Sequence, residues 1–330
     1  MNKVAKGAVA LSCVFAMGAG SFSLAGCSSQ GNLAASNTGE TETSATQGAY
    51  TFTDDLGREV TVASHNRVVA GMGSFANVWE MAGGTLVGAS DDACSDYHIA
   101  SDAQKIGDFS SLNAESIIAL NPDFVILTGS NSGRGGGVAQ TELADTLTAA
   151  NIPVAYFKVT TFDDYLRMLR TCCNITGDEQ AYAENGQGPA DRIAEICAKA
   201  EGRQAGSAVV LTTYSGGTRV QSSSTQTGTM LADLGAQNIA DSDKGLLSDY
   251  SIEALIQDNP QTIFLLPMGN SDEAAQQALV EQTTQNPAWA QLDAVKNGRV
   301  VTLDPQLFQY KPNAQWDQAY QVLFDALYGE

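Results

Sequence analysis

Two segments of the chain carry almost the same pattern of apolar and polar positions. The first runs over residues 111–127 and the second over residues 249–265. In each, a glutamate is followed by an apolar pair, an Asn-Pro dipeptide and a run of apolar residues. Because proline disfavours helical geometry in the residue before it, the pattern predicts a helix that stops at the dipeptide and leads into a strand buried on both faces. The repeat therefore indicates two similar α/β halves.

The same alternation of short apolar runs and amphipathic stretches continues through both halves. Residues 50–62 alternate around an Asp-Leu-Gly sequence, which predicts a β-hairpin. Further strands are predicted at 67–71, 86–89, 124–127, 152–157, 208–212, 263–266 and 299–303. Strands that alternate with helices form parallel, helix-covered sheets. The predicted fold class is therefore α/β, with two Rossmann-like lobes, mostly parallel sheets and a ligand cleft between the lobes.

A long helical pattern separates the two halves. It covers residues 161–186, with a second helix predicted to begin near Pro189. We therefore assign residues 50–160 to an N-terminal α/β lobe, 161–186 to a connecting helix and 187–330 to a C-terminal α/β lobe. About 280 residues in this part of the chain suit two cores better than one.

The N-terminal segment is predicted to direct export. Lys3 and Lys6 precede an apolar stretch that ends in Leu-Ala-Gly-Cys at Cys27. This ending resembles the lipobox of bacterial lipoproteins, which implies a signal peptide over residues 1–26, cleavage before Cys27 and lipid on its sulfur. An ordinary secretion signal is the alternative, and both predict export. Residues 27–49 contain few side chains that could form a core, so they are predicted to form the lipidated cysteine and a flexible tether.

Charge and cysteine content narrow the choice of partners. The formal net charge of −20 argues against nucleic acid, because there is no basic patch to neutralise phosphates. An acidic surface is also a plain means of staying soluble. In an exported protein, Cys94, Cys172, Cys173 and Cys197 are compatible with disulfides, with buried free thiols as the alternative. The pairing is not fixed by the sequence.

Patterns typical of enzymes and of bare-metal sites are missing from the sequence. No P-loop, HExxH or dinucleotide-binding glycine motif occurs, and residues 129–133 do not have the spacing of a serine-hydrolase elbow. Beyond the leader the chain has two histidines, His65 and His98, which argues against a site with several histidine ligands. We therefore expect no enzyme and no directly bound metal. A hydrolase or a surface binding module without a transport role is a remote alternative.

A family resemblance rests on several runs of residues taken together. They are residues 50–62, 67–84, 90–97, 106–122, 289–303 and 308–316. In order and spacing the chain resembles the substrate-binding lipoproteins of ABC importers that carry iron-siderophore complexes, haem and corrinoids. The resemblance implies two lobes bridged by one long helix and a ligand in the cleft. It also implies a monomer without an intrinsic cofactor, lipid-anchored to the outer face of the cytoplasmic membrane, whose partners are a membrane permease and its ATPase.

The same resemblance gives a role to the glutamate in each copy of the repeat. Members of the family carry one exposed acidic residue per lobe that docks on the permease, and here those positions are Glu115 and Glu253. The alternative is local, since a carboxylate in the first turn of a helix offsets the helix dipole and can complete a cap.

Candidate ligand contacts lie after the carboxyl ends of the predicted strands, where α/β sheets bind ligands. They are Met72, Ser74, Phe75, Tyr97, His98, Arg134, Tyr214, Arg219, Tyr310 and Lys311. A ferric siderophore, often anionic, would use the arginines and the lysine for charge and the tyrosines for stacking. Haem would need an axial ligand, which Tyr97, His98, Tyr214 or Met72 could supply.

The choice among ligands stays open in the sequence. A siderophore is placed first and haem second. A corrinoid such as cobalamin, or another metal complex, is the alternative, and the three tryptophans lie on helical or structural stretches that disfavour it. Neither the ligand nor its metal can be named from the sequence.

Overall fold

A hairpin opens the part of the chain that the structure describes. The computed structural model describes residues 48–130, 139–214, 217–248, 250–268, 277, 279–281, 283 and 285–329. The leader, Cys27, nearly all of the tether and Arg134 lie outside these residues. Strands β1 (Tyr50–Thr53) and β2 (Glu59–Val62) pair antiparallel, which confirms the predicted hairpin. Asp54 holds its turn by accepting hydrogen bonds from the backbone N–H groups of Leu56 and Arg58.

The first sheet is parallel and has five described strands. They are β3 (Val68–Ala70), β4 (Leu86–Ala89), β5 (Gln104–Lys105), β6 (Phe124–Thr128) and β7 (Val154–Phe157), in the order β5-β4-β3-β6-β7. Four helices accompany them in the described part of this half: α1 (Gly73–Met81), α2 (Asp92–Ser95), α3 (Ala114–Ala119) and α4 (Ala144–Ala149). A short 3-10 helix, Gln140–Leu143, precedes α4.

The connection between the sheets differs from the prediction in its bounds. Helix α5 (Phe162–Thr176) starts with a capping box and ends at Gly177, whose φ of 81° is left-handed. A second helical stretch then runs without a break through α6 (Glu179–Tyr182), a π-helical turn (Ala183–Gln187) and α7 (Gly188–Ala200). The helix predicted over residues 161–186 is therefore interrupted at Gly177, and the stretch from 179 to 200 leads to the second sheet. The lobe boundaries stay predictions.

The second sheet has the same core arrangement plus one antiparallel strand. Its strands are β8 (Ser207–Tyr214), β9 (Gly217–Gln221), β10 (Gln237–Asn238), β11 (Thr262–Pro267) and β12 (Val300–Thr302). The parallel order is β10-β8-β11-β12, and β9 pairs antiparallel with β8. Tyr214 and Arg219, expected after the end of a predicted strand, thus lie within strands β8 and β9.

Helices pack around the second sheet as they do around the first. They are α8 (Gln226–Asp233), α9 (Lys244–Ser248), α10 (Ile252–Asp258), α11 (Asp293–Lys296), α12 (Pro305–Phe308) and α13 (Trp316–Tyr328). Three short 3-10 helices join them: Ile239–Asp241, Pro287–Gln291 and Asn313–Gln315. Helix α7 packs along α13, which ties the connecting stretch to the second sheet.

The repeat seen in the sequence is confirmed as a repeated structural unit. Helix α3 leads into β6 and helix α10 into β11, and both strands are almost wholly buried, with a parallel neighbour on each side. Each unit turns at its Asn-Pro dipeptide. The α/β fold class predicted from the sequence is therefore confirmed.

One apolar cluster extends through both sheets. It includes Phe124 of the first sheet, Phe264 of the second, Leu169 of α5 and Trp316 of α13. Two smaller clusters cover the other face of each sheet. Among the described residues, no helix is long and apolar enough to cross a membrane.

The cysteines of the described residues are free thiols. Cys172 and Cys173 are buried, Cys197 is half-buried and Cys94 is exposed. A disulfide among these four, which the sequence left open, does not form in this structure.

Candidate functional site

The candidate site is built from loops at the carboxyl ends of strands in both sheets. Met72, Ser74 and Phe75 follow β3, and Tyr97 and His98 follow β4. Tyr310 and Lys311 follow β12 through the short helix α12. Tyr214 and Arg219 lie on the β8–β9 hairpin.

The start of helix α1 contributes more to the core than to an open surface. Phe75 is 2% exposed and its ring meets Phe157 edge-on, with the ring centroids 6.4 Å apart. Ser74 is 1% exposed, whereas Met72 is half-buried. As ligand contacts these three stay predictions, and the burial of Ser74 and Phe75 argues against two of them.

Tyr97 joins the first sheet to the segment after α12. Its hydroxyl oxygen accepts a hydrogen bond from the backbone N–H of Lys311 at 2.9 Å. Its ring contacts the ring of Tyr310 edge-on, with centroids 6.4 Å apart and an interplanar angle of 77°. Burial raises the pKa of Tyr97 well above its ordinary value, so the phenol stays protonated at neutral pH.

The loop that carries Tyr97 packs tightly against the first residue of α1. The Asp92 carboxylate accepts a hydrogen bond from the Gly73 N–H at 3.0 Å, and burial raises the pKa of Asp92. A Cβ at Gly73 would lie 2.7 Å from Asp92 Oδ2 and 2.8 Å from Tyr97 Cδ2. Glycine at position 73 therefore allows the close approach that places Tyr97.

Gln226, at the start of α8, was not predicted from the sequence. It is 8% exposed, and its side-chain oxygen accepts a hydrogen bond from the Lys311 ammonium at 3.2 Å. Its side-chain nitrogen donates to the carbonyls of Leu307 and Tyr310 at 3.2 and 3.1 Å. One buried amide thus contacts three residues of the segment that carries Tyr310 and Lys311.

Asn313 makes a second connection between that segment and α1. It is 4% exposed and has a left-handed backbone, with φ of 50°. Its side-chain nitrogen donates to the carbonyl of Ser74 at 3.0 Å and to the side-chain oxygen of Asn77 at 2.8 Å. The segment after β12 in the second sheet is therefore hydrogen-bonded to the helix that follows β3 in the first.

Tyr214 and Arg219 form a paired unit at the end of the hairpin. The guanidinium carbon of Arg219 lies 5.0 Å from the centroid of the Tyr214 ring, and Nε donates to the Tyr214 hydroxyl at 3.1 Å. Arg219 is exposed, so its guanidinium and the half-buried Tyr214 ring form a cation–aromatic pair at the surface. His98 is also exposed and has φ of 50°.

The two glutamates of the repeat are exposed in equivalent first turns. Asn113 caps α3 by accepting a hydrogen bond from the Glu115 N–H, and Ser251 caps α10 by accepting one from the Ala254 N–H. The Ser251 hydroxyl also donates to the Glu253 carboxylate at 2.9 Å. Hydrogen bonds from the Glu253 N–H and from Ser251 lower the pKa of Glu253.

Within the residues that the structure describes, no group of three or more histidine, cysteine or acidic side chains is arranged to hold a metal ion. The polar groups of the candidate site are instead two separate sets, Lys311 with Tyr97 and Gln226, and Arg219 with Tyr214. They suit a molecule with anionic and aromatic parts.

Comparisons with known proteins add a family and a fold. A family model described as "Periplasmic binding protein" matches residues 68–307. No curated protein matches the chain.

Solved structures from several bacteria share the fold at low sequence identity. The periplasmic heme-binding protein RhuT from Roseiflexus sp. RS-1 is 21% identical with a TM-score of 0.63, and the match covers 81% of this chain and 99% of RhuT. Staphylococcus aureus SirA complexed with staphyloferrin B is 21% identical with a TM-score of 0.64, over 85% of this chain and 97% of SirA. A periplasmic binding protein from Veillonella parvula DSM 2008 is 18% identical with a TM-score of 0.69, over 86% and 92%.

Proposed function

Since the chain belongs to the periplasmic binding protein family and is therefore a solute-binding protein of an ABC importer rather than an enzyme, we propose that its solute is a chelated iron complex. Proteins of this family carry a transported ligand and not an intrinsic cofactor. We place a ferric siderophore first and haem second. In either case the iron arrives already chelated, so the protein recognises the outer surface of a siderophore complex, or the porphyrin and an open axial position of a haem.

The observation that carries this proposal is that each of two cations lies beside tyrosines near the carboxyl ends of parallel strands. Lys311 and Tyr310 adjoin Tyr97, and the guanidinium of Arg219 stacks on Tyr214. Carboxylate or catecholate groups around ferric iron offer anionic oxygens and flat rings. These are the groups that arginine, lysine and tyrosine recognise.

The siderophore is favoured over haem by the state of the axial-ligand candidates. The hydroxyl of Tyr97 already accepts the Lys311 N–H, and the hydroxyl of Tyr214 accepts the Arg219 Nε–H. A haem iron would need an oxygen that already accepts one of these hydrogen bonds, or else the sulfur of the half-buried Met72 or the exposed His98. Both ligand classes occur in this fold, since RhuT is described as heme-binding and SirA was solved with staphyloferrin B.

A corrinoid is the alternative within the same fold, and a Vibrio cholerae protein with 19% identity is described as vitamin B12 binding. The burial of Trp79, Trp289 and Trp316 argues against it here, because all three belong to the core and none offers a face to a large flat ligand.

The remaining parts of the proposal concern location and delivery. We infer lipidation of Cys27 and anchoring to the outer face of the cytoplasmic membrane, with the domain on its tether. Glu115 and Glu253 are proposed to contact the permease, since both are exposed and occupy equivalent places in the two halves. The protein would act as a monomer.

Direct binding measurements test the proposal. The protein is titrated with a ferric tris-catecholate complex, ferric staphyloferrin B, haemin and cyanocobalamin, while its tryptophan fluorescence and its visible spectrum are recorded. We expect one of the two ferric siderophores to bind, and we expect Arg219→Ala and Lys311→Ala each to weaken that binding at least tenfold.

Lys199→Ala serves as the matched control, because Lys199 is an exposed lysine on α7, away from the candidate site. If the Soret band of haemin shifts in the presence of the protein and neither siderophore gives a response, the proposed solute is haem and not a siderophore. Failure of all iron complexes to bind would end the proposal.

A further inference from the structure

We propose that Gln226 is a positioning residue, which holds Tyr310 and Lys311 in place for the ligand before it arrives. The segment concerned is Leu307–Asn313, which we call the strap. The inference rests on the proposed function, because it assigns the strap to the same ligand site. It goes further by naming a buried residue that acts through Lys311 rather than on the ligand.

Both donors of the Gln226 amide and its oxygen form hydrogen bonds with the strap. The two donors of Nε2 reach the carbonyls of Leu307 and Tyr310, and Oε1 accepts from the Lys311 ammonium. At 8% exposure, water cannot readily replace these partners. The strap is therefore fixed by one side chain at both ends of the Leu307–Lys311 stretch.

The other sheet fixes the same strap at two further points. Tyr97 accepts the Lys311 N–H, and Asn313 donates to Ser74 and Asn77. Pro312, between these two points, is buried. Lys311 is thus held through its backbone by the first sheet and through its ammonium by the second.

Gln226 is itself placed rigidly by the first turn of α8. Thr225 caps this helix by accepting a hydrogen bond from the Gly228 N–H. A Cβ at Gly228 would collide with the backbone carbonyl oxygen of Ser222, so only glycine allows the helix to lie this close to the preceding chain. The position of the Gln226 amide is therefore set by the capped start of α8 and its close packing against the backbone of Ser222.

The chemistry at position 226 requires an amide. A glutamate carboxylate would be repelled by the carbonyl oxygens of Leu307 and Tyr310, to which it cannot donate. It would form an ion pair with the Lys311 ammonium. A leucine of similar size would leave the two carbonyls and the ammonium without this partner. An amide alone combines two donors with one neutral acceptor. The Lys311 side chain is already ordered in the folded protein. The conformational entropy lost on ordering it is therefore not lost again when the ligand binds.

The first test needs no ligand. Hydrogen-deuterium exchange of peptides covering residues 305–313 is compared in wild type, Gln226→Leu and Gln226→Glu. Both variants should exchange at least tenfold faster there, while peptides of β3 and β6 stay unchanged. Gln257→Leu, at an exposed glutamine on α10, is the matched control. Unchanged exchange in the strap would overturn the inference.

The second test measures affinity for the ferric siderophore that binds wild type. We expect both Gln226 variants to bind it at least tenfold more weakly, and Gln226→Glu to lose part of the salt dependence of binding, since its carboxylate neutralises Lys311. A loosened strap with unchanged affinity would reject the positioning role.

Two further outcomes remain decisive. If wild type binds no iron complex, the proposed function fails, while the exchange result still decides whether Gln226 holds the strap. If Gln226→Leu does not fold, Tyr97→Phe removes the attachment from the other sheet and keeps the ring. This variant should speed exchange of the Lys311 amide at least tenfold, and no change there would reject the clamped strap.

Discussion

Asn121 and Asn259 occupy equivalent places in the two halves and share almost the same left-handed backbone, with φ of 45° and 42°. Asn121 follows Leu120, the C-cap of α3, and Asn259 is the C-cap of α10; each precedes a proline. Asparagine tolerates this conformation better than other residues with a Cβ. At Asn259 the side chain has a further role, because it donates to the Asp293 carboxylate at 2.8 Å and accepts the Asp293 N–H at 3.0 Å.

Substitutions at the two asparagines should separate backbone from side-chain contributions. Asn121→Gly should change the free energy of unfolding little, whereas Asn121→Ala should lower it by about 1–2 kcal/mol, because alanine resists the left-handed region. Asn259→Gly should cost about 1 kcal/mol, since it loses the bonds to Asp293. Urea unfolding of the four single variants, including Asn259→Ala, measures this. Equal stability of the two glycine variants would contradict the role of Asp293.

Asp54 in the hairpin turn should make the free energy of unfolding depend on pH in the acid range. Burial alone would raise the pKa of Asp54, but hydrogen bonds from the side chain and backbone of Arg58 and from the Tyr156 N–H outweigh it, so the pKa is lowered. A lowered folded pKa gives stability that is complete above the unfolded value of about 3.9 and is lost as the pH falls through the folded value.

Asp54→Asn should therefore be less stable than wild type at pH 7, and it should lose less stability as the pH falls below about 4. Urea midpoints at pH 7 and pH 3 check both parts. Asp102→Asn, at an exposed aspartate, is the control. Parallel losses in wild type and Asp54→Asn on acidification would show that this carboxylate does not contribute.

Thiol labelling should distinguish the four free cysteines. Burial raises the pKa of Cys172 far above its ordinary value and raises that of Cys173 to about 11, so neither forms the reactive thiolate at pH 8. Iodoacetamide should therefore label the exposed Cys94 first and label Cys172 and Cys173 only in urea, as read by mass spectrometry of peptides. A disulfide-linked peptide in the unreduced digest would contradict the free thiols.

The glutamates of the repeat should affect transport without affecting ligand binding. The double variant Glu115→Ala/Glu253→Ala should reduce uptake of the bound complex by cells at least tenfold, because the contacts with the permease are lost. Its affinity in solution should equal that of wild type, since both side chains lie at the surface of their helices. The control is Glu195→Ala/Glu201→Ala, which removes two exposed glutamates from and just after α7. Normal uptake with Glu115→Ala/Glu253→Ala would show that the two glutamates do not contact the permease and serve only at the starts of their helices.

Much of the fold could be predicted from the sequence because its central strands are apolar runs. Strands β6 and β11 and the helices before them follow from the repeat alone. The end of α5 at Gly177 was missed, since the apolar periodicity continues on both sides of the glycine. Strand β9 was missed as well, because Thr218 to Gln221 is a mostly polar strand paired on one side and looks like a loop.

Residues of the candidate site were predicted only where their place after a predicted strand was enough to select them. Tyr97, Tyr310 and Lys311 were identified from their places after strands, and the structure brings them together. Gln226 and Asn313 could not be found in this way. Their partners lie 85 residues away at Lys311 and 239 residues away at Ser74, so their roles exist only in the folded chain. Phe75 was selected for its position after β3, where packing instead makes it a core residue.

The apolar cluster that extends through both sheets has a thermodynamic consequence. Phe124 and Phe264 belong to different sheets but to the same buried network, which Trp316 of the last helix also enters. Neither sheet can release its side chains to water without exposing those of the other. A calorimeter should therefore record a single heat-absorption peak, because the two halves melt together instead of one after the other.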